Sequence, residues 1–159
     1  MVKGSLGWNQ CRWGYKSISE IEGVVANYSK YEIPLEVQWS DIDYMDHHKD
    51  FTFDPVNFPI QKVKQFVDEL HQKEMKFVLI FDPGIKNETG YIAYELGLKK
   101  DIFIKNSQGG LEIGLVWPGY TTFPGNLHHS FFFFFLEPFF SQKRLFEREY
   151  GRLLAHSFH

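Results

Sequence analysis

The alternation of strand-like and helix-like segments along the first 125 residues constrains the fold more than any other feature of this chain. Residues 34–39, "PLEVQW", alternate apolar and polar side chains and are too short for a helix, so they predict a strand. Residues 76–81, "KFVLIF", form a continuous apolar run before Asp82-Pro83-Gly84, which predicts a strand buried on both faces. Further strands are expected at residues 5–8, 102–105 and 111–119, the last being a fourth main strand.

Helical patterns separate these strands. Ser17 and Glu20 form a capping-box pair, and apolar residues then recur with helical spacing over residues 21–28. Residues 58–75 place Pro59 in a first helical turn and apolar side chains on one face, and residues 93–101 form a third helical pattern. The resulting β-α-β-α-β-α-β order predicts an α/β protein with a parallel sheet, either a barrel or a doubly wound sheet.

The segment after the first strand bears on the choice between these two folds. "GWNQCRWGYKS" contains neither a G-x-G-x-x-G pattern nor a P-loop, so a nucleotide-binding sheet is the weaker alternative. A formal net charge of −3 provides no basic surface for nucleic acid. No apolar run approaches the roughly 20 residues that span a bilayer, so no membrane span is predicted.

Residues 39–54, "WSDIDYMDHHKDFTFD", concentrate five aspartates and two histidines directly after a predicted strand. The stretch has neither the glycine of an aspartate-rich calcium loop nor the histidine spacing of a zinc site, so we expect no metal site. His47 and His48 are interpreted as solvated loop residues, and three aspartates as local turn and cap formers: Asp46, Asp50 and Asp54.

Three other carboxylates lie where strands are predicted to end: Asp41, Asp43 and Asp82. If the strand of residues 34–39 continues, Asp41 and Asp43 share one face with Trp39. In parallel barrels the active site lies at the carboxyl ends of the strands. Carboxylates beside an indole suit a sugar, because the acid accepts hydroxyl hydrogens while the ring contacts the C–H face. A carbohydrate site is therefore one interpretation of this end of the sheet.

Four stretches resemble glycoside hydrolase family 31, and its α-glucosidases in particular. They are residues 6–15 "LGWNQCRWGY", 33–59 "IPLEVQWSDIDYMDHHKDFTFDPVNFP", 76–85 "KFVLIFDPGI" and 114–124 "GLVWPGYTTFP". They follow the family's order and spacing over residues 4–124, and "KDFTFDPVNFP" is closest to plant members. The resemblance implies that residues 1–125 are the first three to four β-α units of a (β/α)8 TIM barrel. It also implies hydrolysis of terminal α-linked glucose from maltose, oligosaccharides or starch ends, without a metal or cofactor.

The resemblance also implies roles for individual residues. Asp41 matches the family aspartate that accepts hydroxyls of the terminal glucose, and Ile42 matches the residue that packs beside it. Ile85 and Trp117 match the apolar wall of the same subsite. Asp43 and Asp82 are similar to carboxylates that support it.

The family's catalytic acids are not among the matching segments. The nucleophile belongs to a W-x-D-M-N-E segment and the acid follows it, and neither segment occurs in these 159 residues. We therefore expect no catalytic residue in this chain and no activity from it alone. The alternative is a non-catalytic carbohydrate-binding or interaction module.

Residues 126–159 differ from the rest of the chain, because they hold nine of its 17 phenylalanines. Phe131–Phe135 follow neither a helical nor a strand period, so an irregular tail is expected, with a buried strand as the alternative. Where the family reads "FPDF", residues 123–126 read "FPGN". We interpret the tail as a non-family segment produced by intron read-through.

The compartment is left open by the sequence. Relatives in the resembling family are secreted, in the cell wall, vacuolar or lysosomal. The glycosylation sequons at Asn27 and Asn87 agree with a secretory route.

Overall fold

The computed structural model describes residues 6–125, which form two compact units. We call residues 6–46 with 52–80 the parallel unit, and residues 47–51 with 81–125 the hairpin unit. The predicted irregular tail of residues 126–159 lies outside the described residues.

The parallel unit contains a three-stranded parallel sheet in the order β1-β2-β3. Its strands are β1 (Asn9–Gln10), β2 (Val37–Ser40) and β3 (Lys76–Leu79), and Val37 pairs with both Asn9 and Lys76. The predicted parallel pairing of these first strands is therefore confirmed.

The prediction of a first strand over residues 5–8 is wrong in position, because β1 begins at Asn9. The Trp8 carbonyl accepts the backbone N–H groups of Glu36 at 3.0 Å and Val37 at 3.2 Å, so pairing starts where the predicted strand ends. Asn has a low strand propensity and Gln a weak one, so the sequence pattern places the strand on the apolar residues that precede them.

Two helices cross between the parallel strands, α1 (Ile18–Lys30) and α2 (Ile60–Gln72). The Ser17 hydroxyl caps α1 by accepting the backbone N–H of Glu20 at 3.2 Å, which confirms the predicted helix start. Pro59 is the residue that precedes the first turn of α2, and this helix buries the four side chains predicted for its apolar face, Val63, Phe66, Val67 and Leu70.

The expectation that the strand at residues 76–81 is buried on both faces is wrong for this chain. Phe77 and Leu79 are buried, whereas Val78 and Ile80 on the other face are only half-buried. The Phe66 ring of α2 meets the Phe77 ring edge-on at 5.6 Å, so the helix covers one face of the strand.

The hairpin unit holds a second, antiparallel sheet in the order β4-β6-β5 and one helix. Its elements are β4 (Ile85–Lys86), α3 (Ile92–Lys99), β5 (Gly114–Val116) and β6 (Gly119–Thr122). The predicted fourth main parallel strand is therefore wrong. Val116 pairs directly with Gly119, whose φ of 106° closes the two-residue turn Trp117-Pro118 and reverses the chain.

The short strand predicted at residues 102–105 is also wrong, because only isolated bridges form there. Phe103 bridges to Pro124 and Lys105 to Leu111. The unit's buried apolar cluster consists of Ile85, Tyr91, Ala93, Ile102 and Phe103.

Within residues 6–125, no helix is both long and apolar enough to cross a membrane.

Candidate functional site

Asp41 lies at the carboxyl end of β2, where the strand gives way to a 3₁₀ turn over Ile42–Tyr44. Its backbone is still extended, and its Oδ1 accepts the backbone N–H of Ile42 at 2.8 Å. The condition under which Asp41 and Asp43 would share a strand face with Trp39 is not met, because β2 ends at Ser40 and the turn begins at Ile42. The half-exposed Asp41 carboxylate is thus held at the end of the parallel sheet by its own cap.

Asp43 joins the segment after β2 to the segment after β1. Its Oδ2 accepts the backbone N–H of Gly14 at 2.8 Å, across 29 positions of sequence. Cys11, just after β1, is exposed, and the pKa of its thiol is raised by the little burial that it has and then by the charge of Asp41. The carboxyl ends of β1 and β2 therefore meet around these acids.

Ile42 and Tyr44 fix the same turn through burial and through a hydrogen bond. Ile42 is only 3% exposed, and the buried Tyr44 hydroxyl donates to the Ile80 carbonyl at 2.9 Å. This bond connects the ends of β2 and β3. The turn that carries Asp41 is consequently fixed at both of its neighbouring strands.

The other predicted site residues belong to the hairpin unit. Asp82 is half-buried, and Ile85 is fully buried, at 0% exposure, in the unit's apolar cluster. Trp117 lies in the β5–β6 turn and is 58% exposed. The structure thus brings Asp41, Ile42 and Asp43 together in one unit, and Asp82, Ile85 and Trp117 in the other.

Asp50 is a residue whose importance the sequence analysis missed. It was predicted to cap a local turn, as Asp54 does by accepting the N–H groups of Val56 and Asn57. Instead Asp50 is 1% exposed and accepts the backbone N–H of Asp82 at 2.9 Å. Burial, followed by the charge of Asp82, raises its pKa to about 7 against the lowering effect of this hydrogen bond. Nothing in the local sequence distinguishes it, since its partner lies 32 positions away.

Metal-binding side chains and cavities are the other features of residues 6–125 that bear on a site. Across residues 6–125, no group of three or more His, Cys, Asp or Glu side chains could hold a metal ion. An apolar cavity of about 390 Å³ in the parallel unit is lined by Trp8, Val24, Asn27, Tyr28, Tyr31 and Ile33. Trp8 and Ile33 precede β1 and β2, so this cavity lies at the amino ends of the strands, opposite Asp41.

A comparison with protein families matches residues 1–144 to the domain described as "Glycosyl hydrolases family 31 TIM-barrel domain". The chain belongs to glycosyl hydrolase family 31. This confirms the family resemblance, and the parallel unit supplies a partial sheet of parallel strands within a TIM-barrel domain. The domain boundary at residue 125 stays a prediction.

Curated relatives of this family 31 chain include proteins named as α-glucosidases and as an α-xylosidase. It is 54% identical over 124 residues to a probable α-glucosidase of Oryza sativa subsp. japonica, covering 78% of this chain and 14% of the relative. It is 46% identical over 124 residues to α-xylosidase 1 of Arabidopsis thaliana, covering 78% of this chain and 13% of the relative. The crystal structure of the glucosidase II α subunit in its Glc1Man2-bound form matches with a TM-score of 0.73 and 34% identity, over 77% of this chain and 13% of that one. The match therefore spans 14% and 13% of the length of these two curated relatives.

Proposed function

We propose that this chain is part of the catalytic barrel of an α-glucosidase and contributes contacts to the terminal glucose of α-glucosides such as maltose, malto-oligosaccharides or starch ends. The observation that carries the proposal is the half-exposed Asp41 carboxylate at the carboxyl end of β2. That end of a parallel barrel strand is where active sites of this fold lie. The 54% identity to an α-glucosidase supports glucose over other sugars.

The roles proposed for the residues follow from their chemistry. Asp41 would accept hydrogen bonds from sugar hydroxyls with the oxygen that does not cap the Ile42 turn. The exposed Trp117 indole would contact the C–H face of the ring. Ile42 and Ile85, each buried in its own unit, keep the apolar roles that the family resemblance implies. Asp43 and Asp82 would support these residues. The Asp43 carboxylate accepts the Gly14 N–H, and the Asp82 N–H donates to Asp50.

Binding rather than turnover is proposed for these 159 residues alone. Retaining hydrolysis requires two carboxyl groups about 5–5.5 Å apart, one as nucleophile and one as acid then base. Asp43 already accepts a backbone N–H at 2.8 Å, and we assign neither catalytic role to Asp41, Asp43 or Asp82. The segment that carries the family nucleophile does not occur in the sequence.

Glucose titration of the 159-residue chain, followed by ¹H–¹⁵N NMR, tests the proposal. We expect glucose to shift the amides around Asp41, and Asp41→Asn to weaken binding by about tenfold or more, because a charged hydrogen-bond acceptor is lost. Asp54→Asn is the matched control, since Asp54 caps a turn in the same unit. Glucose shifts that are equal in both variants would contradict the role of Asp41.

A preference for xylose in the same titration would instead favour the activity named for the Arabidopsis relative. In a longer protein that also carries the catalytic acids, we expect Asp41→Ala to lower kcat/KM by about one to two orders of magnitude, from the loss of a charged hydrogen bond. A loss below about threefold would show that Asp41 does not contact the sugar in the transition state. Glucose binding by a longer protein without turnover would favour the binding-module alternative.

A further inference from the structure

Asp50 is a buried carboxylate in the hairpin unit, and apolar packing does not explain its position. It is 1% exposed, and its Oδ1 accepts the Asp82 backbone N–H at 2.9 Å. Its Oδ2 is buried and has no hydrogen-bond partner. A buried carboxylate with an unsatisfied oxygen destabilises a fold. Its presence therefore calls for a role that a neutral, apolar side chain could not perform.

The main chain of Asp50 is fixed as firmly as its side chain. Its carbonyl accepts the hydroxyl hydrogen of the buried Tyr91 at 2.7 Å. Burial raises the pKa of Tyr91 further above its ordinary value, so the hydroxyl remains a donor. The neighbouring Lys49 pairs with Glu88 at 3.2 Å and lies 5.8 Å from the centre of the Tyr91 ring. Asp50 is thus held in place independently of the turn to which it binds.

The partner of Asp50 is the turn Asp82–Ile85. A side chain added at Gly84 would meet Val116 of β5 at 2.8 Å, so this turn already packs closely on the hairpin. Pro83 has no N–H, which leaves the Asp82 N–H as the donor at the start of the turn. Asp50 and the hairpin therefore hold the turn at two points.

We propose that Asp50 is a positioning residue that fixes the Asp82–Ile85 turn and thereby places two residues of the sugar subsite, Asp82 and Ile85. Their assignment to that subsite rests on the proposed function. The hold on the turn itself rests only on the hydrogen bonds within the hairpin unit. The titratable groups around Asp50 are Asp82 on the turn, Tyr91 at the start of α3, and Lys49 and Glu88 beside that ring.

Amide hydrogen exchange in the full 159-residue chain tests the hold on the turn. Asp50→Ala removes the acceptor, so exchange of the Asp82 amide is expected to rise by about tenfold or more, whereas Asp50→Asn keeps an acceptor oxygen and most of the protection. Asp54→Ala is the control substitution, and the Val25 amide within α1 is the control site. Equal acceleration at Asp82 and Val25 in Asp50→Ala, or none at Asp82, would overturn the proposal.

A pH titration supplies a readout that a purely structural residue would not change. In the wild type we expect the Asp82 amide shift to follow ionisation of Asp50, whose pKa is raised to about 7 by burial, and in Asp50→Asn to lose that step. An amide that titrates identically in both would overturn the proposal. Glucose affinity, measured in parallel, is expected to fall by about tenfold in Asp50→Ala, as for loss of a positioning hydrogen bond. If the amide results hold but the wild type shows no glucose shifts, the proposed function fails while the hold on the turn stands.

Discussion

The parallel unit and the hairpin unit are specified in different ways. In the parallel unit, α1 begins at a side-chain cap from Ser17 and buries a face with helical spacing, and both signals lie within the helix sequence. In the hairpin unit, Tyr91 precedes the first residue of α3, and its side chain makes no capping hydrogen bond to the helix. The Tyr91 hydroxyl instead bonds to residue 50, 41 positions away. Signals within its own sequence thus determine the start of α1, whereas a contact distant in sequence holds the residue at the start of α3.

This difference predicts where each unit is sensitive. Substitutions that alter local signals should affect the parallel unit by about 1 kcal/mol each, since caps and helix propensities contribute that much. The hairpin unit depends on a buried carboxylate and on close packing. Loss of either lowers the free energy of unfolding by more than loss of a cap does.

The largest expected effect is a dependence of the hairpin unit's stability on pH. The pKa of Asp50 is raised from 3.8 to about 7, mainly by burial, so between these values the folded unit binds a proton that the unfolded chain releases. The free energy of unfolding should therefore fall as pH rises through this window, by up to about 4 kcal/mol, and level off above it. Urea unfolding followed at hairpin-unit amides from pH 5 to pH 8 covers the upper part of this window and should show a fall of about 3 kcal/mol.

Asp50→Asn should remove this dependence, because the amide does not ionise. The pKa of Glu88 is lowered by Lys86 and then by Lys49, so Glu88 stays ionised from pH 5 to pH 8 and does not contribute to the dependence measured there. A wild-type unfolding midpoint that is constant across the window would contradict the burial of an ionisable Asp50.

An intermediate effect is expected from Gly97→Ala in α3. The Phe103 ring lies against Gly97, and an added methyl group would overlap it. Overpacking of this kind costs about 1–3 kcal/mol, and differential scanning calorimetry should show a lower melting temperature for the hairpin unit.

Gly23→Ala in α1 is the matched control, because no atom lies within 4 Å of the added methyl group. Alanine is better than glycine in a helix interior, so this variant should be more stable by about 0.5–1 kcal/mol. Equal changes in melting temperature for the two substitutions would contradict the expected difference between α3 and α1.

The smallest expected effect is loss of the α1 cap. Ser17→Ala removes the hydroxyl that accepts the Glu20 N–H at 3.2 Å and leaves that N–H only the Ser17 carbonyl, so it should lower the free energy of unfolding of the parallel unit by about 1 kcal/mol. Ser29→Ala, at an exposed position near the other end of α1, should change it by less than about 0.5 kcal/mol. Urea unfolding of both variants makes the comparison, and a Ser29 effect as large as that of Ser17 would show that the cap is not what stabilises the helix start.

How much could be predicted from the sequence follows the same division. The helix α1 follows from its Ser17 cap and its periodicity, and α2 from its periodicity after Pro59, and the β-α-β order gives the parallel pairing of β2 with β3. The reversal at Gly119 could not be read from "LEIGLVWPG", because a three-residue strand carries too little pattern to set its partner's direction. Asp41 was found because it follows a strand directly, whereas Asp50 resembled any loop aspartate until folding brought Asp82 to it.

The most direct test of the central claim is an assay of the purified 159-residue chain with 4-nitrophenyl α-D-glucoside, together with glucose titration. We expect glucose-dependent shifts near Asp41 and no release of nitrophenol above the buffer blank, because none of the strand-end acids is assigned as nucleophile or acid. Turnover that Asp41→Asn or Asp82→Asn alone abolishes, with a glycosyl ester trapped on that residue, would contradict the account and make a strand-end carboxylate the catalytic nucleophile.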